Sequence, residues 1–220
     1  MSEFVNEKMT PWGYIIDAQT LPSFINEAEF YAYTGGRFTG DRRIAVNIPS
    51  ATASIRNYCG WHIAPNLVCG ALFNVRDLRD AFIDPDLLIQ LPATFITKVE
   101  KVIINAKRNT VSGEYDGDVL TDFDILSGGL LRVYDVGCVD RKAKVFVKYR
   151  AGFSPDDISD LKELTANRVT HAVTNTYGVN SEAAGGVSVS YNSAWTGSGS
   201  TSLSDDTREI LNNYKVKGVY

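Results

Sequence analysis

The sequence is poor in the residues that most often carry chemistry, with two histidines and three cysteines in 220 residues. Cys59, Cys69 and Cys138 are odd in number and show no CxxC spacing. The expectation is therefore buried free thiols in a reducing compartment, not a disulfide framework or a metal site. Apolar runs such as Leu87 to Ile89 and Val102 to Ile104 are short, which excludes a membrane-spanning helix. The opening MSEFVNEKMT has acidic residues and no apolar signal core, so synthesis and retention in a cytoplasm are expected. A basic excess is also missing. The formal net charge is −4, with five basic and six acidic residues in 1–60, twelve of each in 61–150, and five against eight in 154–220. Phosphate neutralisation supplies most of the affinity of a non-specific nucleic-acid binder, so that class is disfavoured.

What is present is a globular composition, 44% hydrophobic and 22% charged, of a length that suits one domain or two small ones. Asn26 can cap a helix from Glu27 to Tyr33, with Gly35-Gly36 as its left-handed stop. Asp41 opens a second helix, with Ile44, Ile48, Ala51, Ile55 and Tyr58 at helical spacing and Gly60 as its end. Pro49 lies inside that pattern and predicts either a kink or a restart capped by Asn47.

From Trp61 to Arg150 short β-branched and aromatic runs alternate with turn signals. The runs are Leu67 to Val75, Leu87 to Leu91, Phe95 to Asn105, Leu130 to Tyr134 and Lys144 to Arg150. Among the breaks are Gly113, Asp116-Gly117-Asp118 and Gly128-Gly129. This pattern predicts a compact antiparallel module. Ser154-Pro155-Asp156-Asp157 then starts a helix, with serine as cap, proline at the first position and acids in the first turn. Its apolar face runs through Ile158, Leu161, Val169 and Val173 to about Thr176. The fold expected is α+β: a helical core of about three main helices, an inserted antiparallel β module, and an extended C-terminal arm ending in a short helix. The corresponding boundaries are 1–60, 61–153, 154–177 and 178–220.

The arm is poor in core-forming residues. Val187 to Tyr191 alternates as a short strand, residues 197–202 read as a flexible linker, and Ser204-Asp205-Asp206 caps a final helix. Ordering backbone costs roughly 1–2 kcal/mol per residue, and a helix of about ten residues is marginal alone. The few apolar anchors, Val187, Val189, Tyr191, Trp195, Ile210, Leu211 and Tyr214, are therefore expected to dock on a partner.

No catalytic, cofactor or metal site is expected. His62 lies three residues from Cys59 with no third orienting group, and His171 falls within a helix. Asp116, Asp118, Asp122 and Asp124 place Thr121 and Ser127 where a calcium loop needs glycine and glutamate, so they read as an exposed acidic loop. Alternation from Lys144 to Arg150 puts Lys144, Phe146, Lys148 and Arg150 on one side of a strand. That face is either solvated or, through Lys144, Lys148 and Arg150, in contact with DNA or an acidic partner.

Several segments, in this order, resemble the head–tail connector (neck adaptor) proteins of tailed bacteriophages. They are Tyr33-Thr34-Gly35-Gly36-Arg37, Ala53-Ser54-Ile55-Arg56-Asn57-Tyr58-Cys59-Gly60-Trp61, Leu91-Pro92-Ala93-Thr94 leading to Val99-Glu100-Lys101-Val102, and Val145 to Phe153 before Ser154-Pro155-Asp156-Asp157. In the arm, Gly178 to Glu182, Gly185 to Tyr191 and Ile210 to Tyr214 are also similar. The resemblance implies a non-enzymatic virion protein, made in the host cytoplasm and carried in the neck. It implies a ring, dodecameric like the portal, with the arm toward the portal protein and a stopper or tail-completion protein on the other side. DNA would pass through the lumen without sequence-specific binding, and no membrane would be involved. The shortest members of that group are essentially helical, so the β module sets this chain apart. The rival expectation is an enzyme or ligand-binding module whose β region holds a pocket near His62 and residues 116–124.

Overall fold

The structure, a computed structural model, describes residue 4 and residues 6–83, 86–110, 113–134, 136, 140, 142–174, 181–184, 187–190 and 205–216. The chain forms two compact units. One gathers residues 1–21, 60–154 and 215–220, the other residues 22–59 and 155–214.

The first unit is built from strands. Its larger sheet contains β1 (Glu7–Met9), β2 (Ile15–Asp17), β3 (Leu67–Asn74), β6 (Ile96–Arg108), β7 (Tyr115–Leu120) and β10 (Lys144–Ala151), in the order β1-β2-β3-β10-β6-β7, antiparallel throughout. A second antiparallel sheet orders β4 (Phe82–Ile83), β5 (Asp86–Gln90), β9 (Leu130–Val133) and β8 (Phe123–Ile125) as β4-β5-β9-β8. These two sheets correct the expected fold class. The chain is strand-rich, not a core of about three helices carrying a β insert. Part of the difference lies at the N-terminus, assigned to the helical part by its position before the first capped helix. Ile15 and Ile16 pair with Gly70 and Cys69 of β3, and Phe4 and Ile15 complete a buried cluster with Ile103, Ala106, Tyr115 and Phe146.

That cluster also revises the reading of β10. Phe146 is wholly buried, stacked on Tyr115 with ring centroids 3.9 Å apart. The face shared by Lys144, Phe146, Lys148 and Arg150 is thus covered at its centre and solvated only toward its ends. Arg108 near the end of β6 bonds both oxygens of Glu7 on β1 (2.6 and 2.8 Å), which ties one edge strand to the strand beside the other edge. In the smaller sheet, Leu87, Ile89, Leu131 and Val133 are fully buried, and Arg132 bonds the buried carboxylate of Asp86.

The second unit holds α1 (Glu27–Tyr33), α2 (Arg43–Cys59), α3 (Ser159–Thr174) and α4 (Asp205–Tyr214), with a paired ribbon β11 (Ser181–Ala184) and β12 (Val187–Ser190). The cap of α1 is a reciprocal capping box. The Asn26 side chain accepts from the Glu29 backbone N–H, and the Glu29 carboxylate accepts from that of Asn26. α2 runs without a break through Pro49, and Asn47 donates to the Arg43 carbonyl inside the helix and does not cap a restart. The Ser154-Pro155 start forms a 3-10 turn, Pro155–Asp157, before α3 begins at Ser159. Ile25, Phe30, Ile44, Ile48, Ala51, Ala166, Val169 and Val173 make one buried cluster.

Lys162 on α3 reaches Glu29 at 2.9 Å, and with the Asn26 N–H it holds the Glu29 carboxyl below its ordinary value of 4.5. A carboxylate whose folded pKa is lowered stabilises the fold above its unfolded pKa, and that contribution disappears as pH falls through the folded value. Glu29→Gln keeps an acceptor for Asn26 but removes the charge. Its loss of stability relative to the unaltered chain should be present at neutral pH and vanish in acid, as read by denaturant midpoints across pH. An equal loss at every pH would contradict the ionic role.

Candidate functional site

The sequence candidates do not converge on one place. His62 is fully buried, with both ring nitrogens engaged. Its Nε2 lies 3.1 Å from the Ala151 carbonyl, which can only accept, so Nε2 carries the proton. Nδ1 then accepts from the Tyr14 hydroxyl at 2.8 Å, and the same hydroxyl oxygen accepts the His62 backbone N–H at 3.0 Å. Gly152 closes the arrangement. At its φ of 116° a Cβ would meet the Pro65 carbonyl and come within 2.9 Å of Nε2. His62 is a fold tie, consistent with its reading as a structural residue.

The cysteines are equally withdrawn. Cys59 is buried with its thiol 3.7 Å from the Leu211 carbonyl. Cys69 is buried too, and burial pushes its thiol up to about 12. Cys138 lies outside the described residues. Asp116 and Asp118 belong to β7 and Asp124 to β8, so the expected acidic loop is largely strand. Asp118 accepts from Asn105, and Asp124 from the Tyr134 hydroxyl. Among the described residues no group of three metal-ligating side chains occurs, and no helix is long and apolar enough to cross a membrane.

The proposed docking anchors divide. Tyr191 and Trp195 lie outside the described residues, and Val187 and Val189 stand in β12. Leu211 is wholly buried, Tyr214 is 8% exposed, and Ile210 is partly buried. α4 packs on α2 and α3, and the Tyr214 hydroxyl donates to Asp160 at 2.8 Å. Leu211 and Tyr214 therefore pack α4 against its own unit. The missing signal was a receptive surface on α2 and α3, which only the fold reveals.

The basic residues of β10 separate in the same way. Lys148 and Arg150 share one carboxylate, Glu100, at 3.7 and 2.9 Å, and the Lys148 ammonium also stands 5.4 Å from the centre of the Phe4 ring. Lys144 lies elsewhere, on the rim of an open cleft of about 550 Å³ in the strand unit. Ala106, Tyr115 and Leu72 give this cleft an apolar floor, and Leu72 is 39% exposed. Lys107, Lys142 and Lys144 line its rim. Among the described residues none of these three lysines is in an ion pair.

A bulge builds this rim. The β6–β7 register shifts between Ile104 and Lys107, where Asn105 takes a left-handed φ of 56° and donates to Asp118 at 2.9 Å. The extra residue re-aims the strand. Ala106 is buried in the floor, while Lys107 and Arg108 are exposed. Opposite the bulge stands Gly117, where a Cβ would collide with the Ile104 carbonyl and come within 2.7 Å of the Ile103 side chain. From the other side, Asp140 accepts from the Lys142 backbone N–H at 3.0 Å, while the Asp140 carbonyl accepts from Ala143 at 2.8 Å. This turn presents Lys142 and Lys144. With Arg108 held by Glu7, the cleft lining sets Lys107, Lys142 and Lys144 against one carboxylate, Asp140, over a partly apolar floor.

Compared with models of known protein families and with curated proteins, the chain matches none.

Tyr14→Phe leaves the His62 Nδ1 without its donor and the His62 N–H without its acceptor. It should lower stability by about 2–3 kcal/mol in denaturant titration, with Gly152→Ala destabilising in the same direction; a neutral Tyr14→Phe would contradict the tie. In a Cys138→Ser chain neither remaining thiol should react with Ellman's reagent in the folded state, whereas both should react in concentrated guanidinium. Prompt labelling of the folded protein would contradict their burial.

Proposed function

We propose that the chain is a structural, non-enzymatic protein of a tailed-phage neck, a head–tail connector made in the host cytoplasm and assembled into the virion. The observation that carries this reading is the ordered set of segments resembling neck adaptors, from Tyr33-Thr34-Gly35-Gly36-Arg37 through Val145 to Phe153 and the turn that follows. Many residues of those segments do identifiable structural work. Ile55, Cys59 and Trp61 are buried, Gly60 takes a φ of 80°, Leu91 and Ala93 are fully buried, and Val145, Val147 and Tyr149 are fully buried on one face of β10. A scaffold that acts through contacts also accords with a cationic cleft whose rim lysines are unpaired among the described residues.

In this reading neighbouring copies form a ring, twelve if it follows the portal. The portal protein lies on one side and a stopper or tail-completion protein on the other. DNA passes through the lumen without sequence-specific contacts. Lys148 and Arg150 are half-compensated by Glu100, so Lys144 is the residue of the basic strand best placed for a contact with an acidic neighbour. A second reading, a ligand-binding module, is favoured by the cleft itself. Against it, His62 is committed to Tyr14 and Ala151 and does not line that cleft.

The test adds the purified chain to portal-bearing, tailless capsids of the phage that encodes it. Binding should saturate at one vertex per particle and appear as a ring beneath the portal in averaged electron micrographs. Absence of binding at micromolar concentrations, or binding spread over the shell, would overturn the connector reading. Saturable binding of a small anion to the isolated chain, abolished by Lys144→Glu, would favour the ligand module.

A further inference from the structure

The apolar cluster of the strand unit comes to the surface in the cleft between the end of β6 and the turn before β10. Ile103, Ala106, Tyr115 and Phe146 belong to that cluster and are buried, and Ala106 and Tyr115 also line the cleft. Leu72, the cross-strand partner of Phe146 on β3, lies in the same lining and is 39% exposed. The isolated chain thus leaves a large aliphatic side chain in contact with water, at the margin of its own core.

The three rim lysines are set there by fixed backbone. Lys107 follows the bulge at Asn105. Lys142 and Lys144 flank the buried Ala143. Their turn is pinned by the Asp140 carboxylate on the Lys142 N–H at 3.0 Å, the Asp140 carbonyl on the Ala143 N–H at 2.8 Å, and the Ala143 carbonyl on the Val75 N–H at 3.0 Å. Arg108 is committed to Glu7, and Asp140 is the one carboxylate of the lining among the described residues. Two further carboxylates stand outside the lining. Asp116 lies opposite Lys107 in the β6–β7 register, and Asp77 accepts from Asn74, the cross-strand partner of Lys144. Among the described residues neither closes an ion pair with a rim lysine.

We propose that this cleft takes an acidic peptide segment of another protein, with one large apolar side chain on Leu72, Ala106 and Tyr115 and flanking carboxylates on Lys107, Lys142 and Lys144. The lysines select for an anion, and the floor selects which kind. A nucleic-acid backbone or a compact phosphate would engage the ammonium groups and leave the floor wet. Phosphate is also best held by the bidentate fork of arginine, and the one guanidinium of the lining, Arg108, already grips both oxygens of Glu7. Separate ammonium groups around an apolar floor suit carboxylates spaced along a chain. Covering Leu72 gives the contact a dry centre and a charged rim, the usual build of a protein–protein interface. Charge complementarity then steers encounter and fixes register. That the partner belongs to a phage neck rests on the connector reading; the acidic and apolar chemistry of the segment does not.

The experiment titrates the full chain into a dye-labelled peptide with Asp-Glu-Phe-Glu-Asp at its centre and follows fluorescence anisotropy. The controls are a peptide with Asp-Glu-Ser-Glu-Asp there, one with Lys-Lys-Phe-Lys-Lys, and a short oligothymidylate. The phenylalanine peptide should bind saturably at low salt and weaken at about 0.5 M salt, where the Debye length falls to a few ångströms. The serine peptide should bind at least fivefold more weakly, and the basic peptide and the oligothymidylate should not bind detectably. Lys107→Glu/Lys142→Glu/Lys144→Glu should weaken the phenylalanine peptide at least tenfold, and Leu72→Ser should erase its advantage over the serine peptide. Circular dichroism checks folding, and if the glutamate set unfolds, Lys107→Gln/Lys142→Gln/Lys144→Gln should weaken binding in the same direction. Absence of saturable binding overturns the proposal, as does binding that the lysine variants leave unchanged. Equal binding of the serine peptide removes the floor from the contact and overturns it too. Oligothymidylate bound as tightly as the phenylalanine peptide assigns the cleft to nucleic acid. Self-association in sedimentation that is lost in the lysine variant and excludes the peptide assigns it to a second copy; either result overturns the acidic partner segment. A chain that binds portal-bearing capsids yet fails the peptide test sinks only this site. One that takes the peptide through the cleft but ignores capsids sinks only the connector reading.

Discussion

The Tyr14 hydroxyl gives its proton to His62 Nδ1 and takes the His62 backbone N–H, while Nε2–H goes to the Ala151 carbonyl. Three segments far apart in sequence meet at this point, the end of the β1–β2 turn, the residues just after Gly60, and the last residue of β10. Around it the Phe153 N–H bonds the Ile63 carbonyl, Asn66 bonds the Gly152 carbonyl, and Phe153 stacks on Phe95 at 4.4 Å. Ile63 is held at a φ of 65°, with the Ala64 N–H closing a three-residue turn onto the His62 carbonyl. A β-branched residue persists in that region only where its surroundings over-determine it. Residues 60 and 154, where the strand unit begins and ends its long central stretch, both adjoin this tie. Two of the chain's four passages between its units, 59–60 and 154–155, thereby adjoin a fixed point of the strand unit.

Local chemistry made the helices legible. Asn26 and Glu29 announce α1 because a cap is a contact between residues three apart, and the Ser154-Pro155 turn and Asp205 announce α3 and α4 in the same way. Strand positions from Leu67, Leu87, Phe95, Leu130 and Lys144 were also readable, because β-branched runs between turn residues need no partner to be recognised. The partners were not readable. Gly117, flanked by two aspartates, reads as a turn, yet it sits within β7, opposite the bulge at Asn105, where a Cβ would collide with the Ile104 carbonyl. The N-terminal strands carry too short a pattern to be seen. They exist because Ile15, Ile16 and Phe4 find the surfaces of β3 and Phe146. The fold class is hidden for the same reason, since the capped helices are conspicuous locally while the sheets are defined by long-range pairing.

The last helix shows the same asymmetry from the opposite direction. Its apolar residues are legible in the sequence, but the surface that receives them is not. The surface that receives Leu211 and Tyr214 is assembled from α2 and α3, separated in sequence by the strand unit. Counting anchors along one segment therefore says how much surface it can bury, not on which molecule it buries it. The ribbon of β11 and β12 makes a related point, because its main-chain pairing supplies order that a tally of apolar side chains omits.

Charge requires a similar distinction. Lys144, Lys148 and Arg150 are equivalent members of one alternating pattern in the sequence, yet two of them share Glu100 and the third stands on a rim with Lys107 and Lys142. An exposed lysine in water is ordinary, and three of them dispersed over a surface would imply nothing. What sets this rim apart is the partly exposed apolar floor that the three surround, made by a bulge that turns Ala106 inward and Lys107 outward. An acidic partner entering there would meet each ammonium at the edge of a surface from which water can be displaced, where a charge pair is worth more than in open solvent. The Arg150 end of β10 offers no such combination, because Glu100 already compensates its cations, and Phe146 at the centre of the strand is covered. The distribution of pairing, not the distribution of charge, is what singles out the cleft.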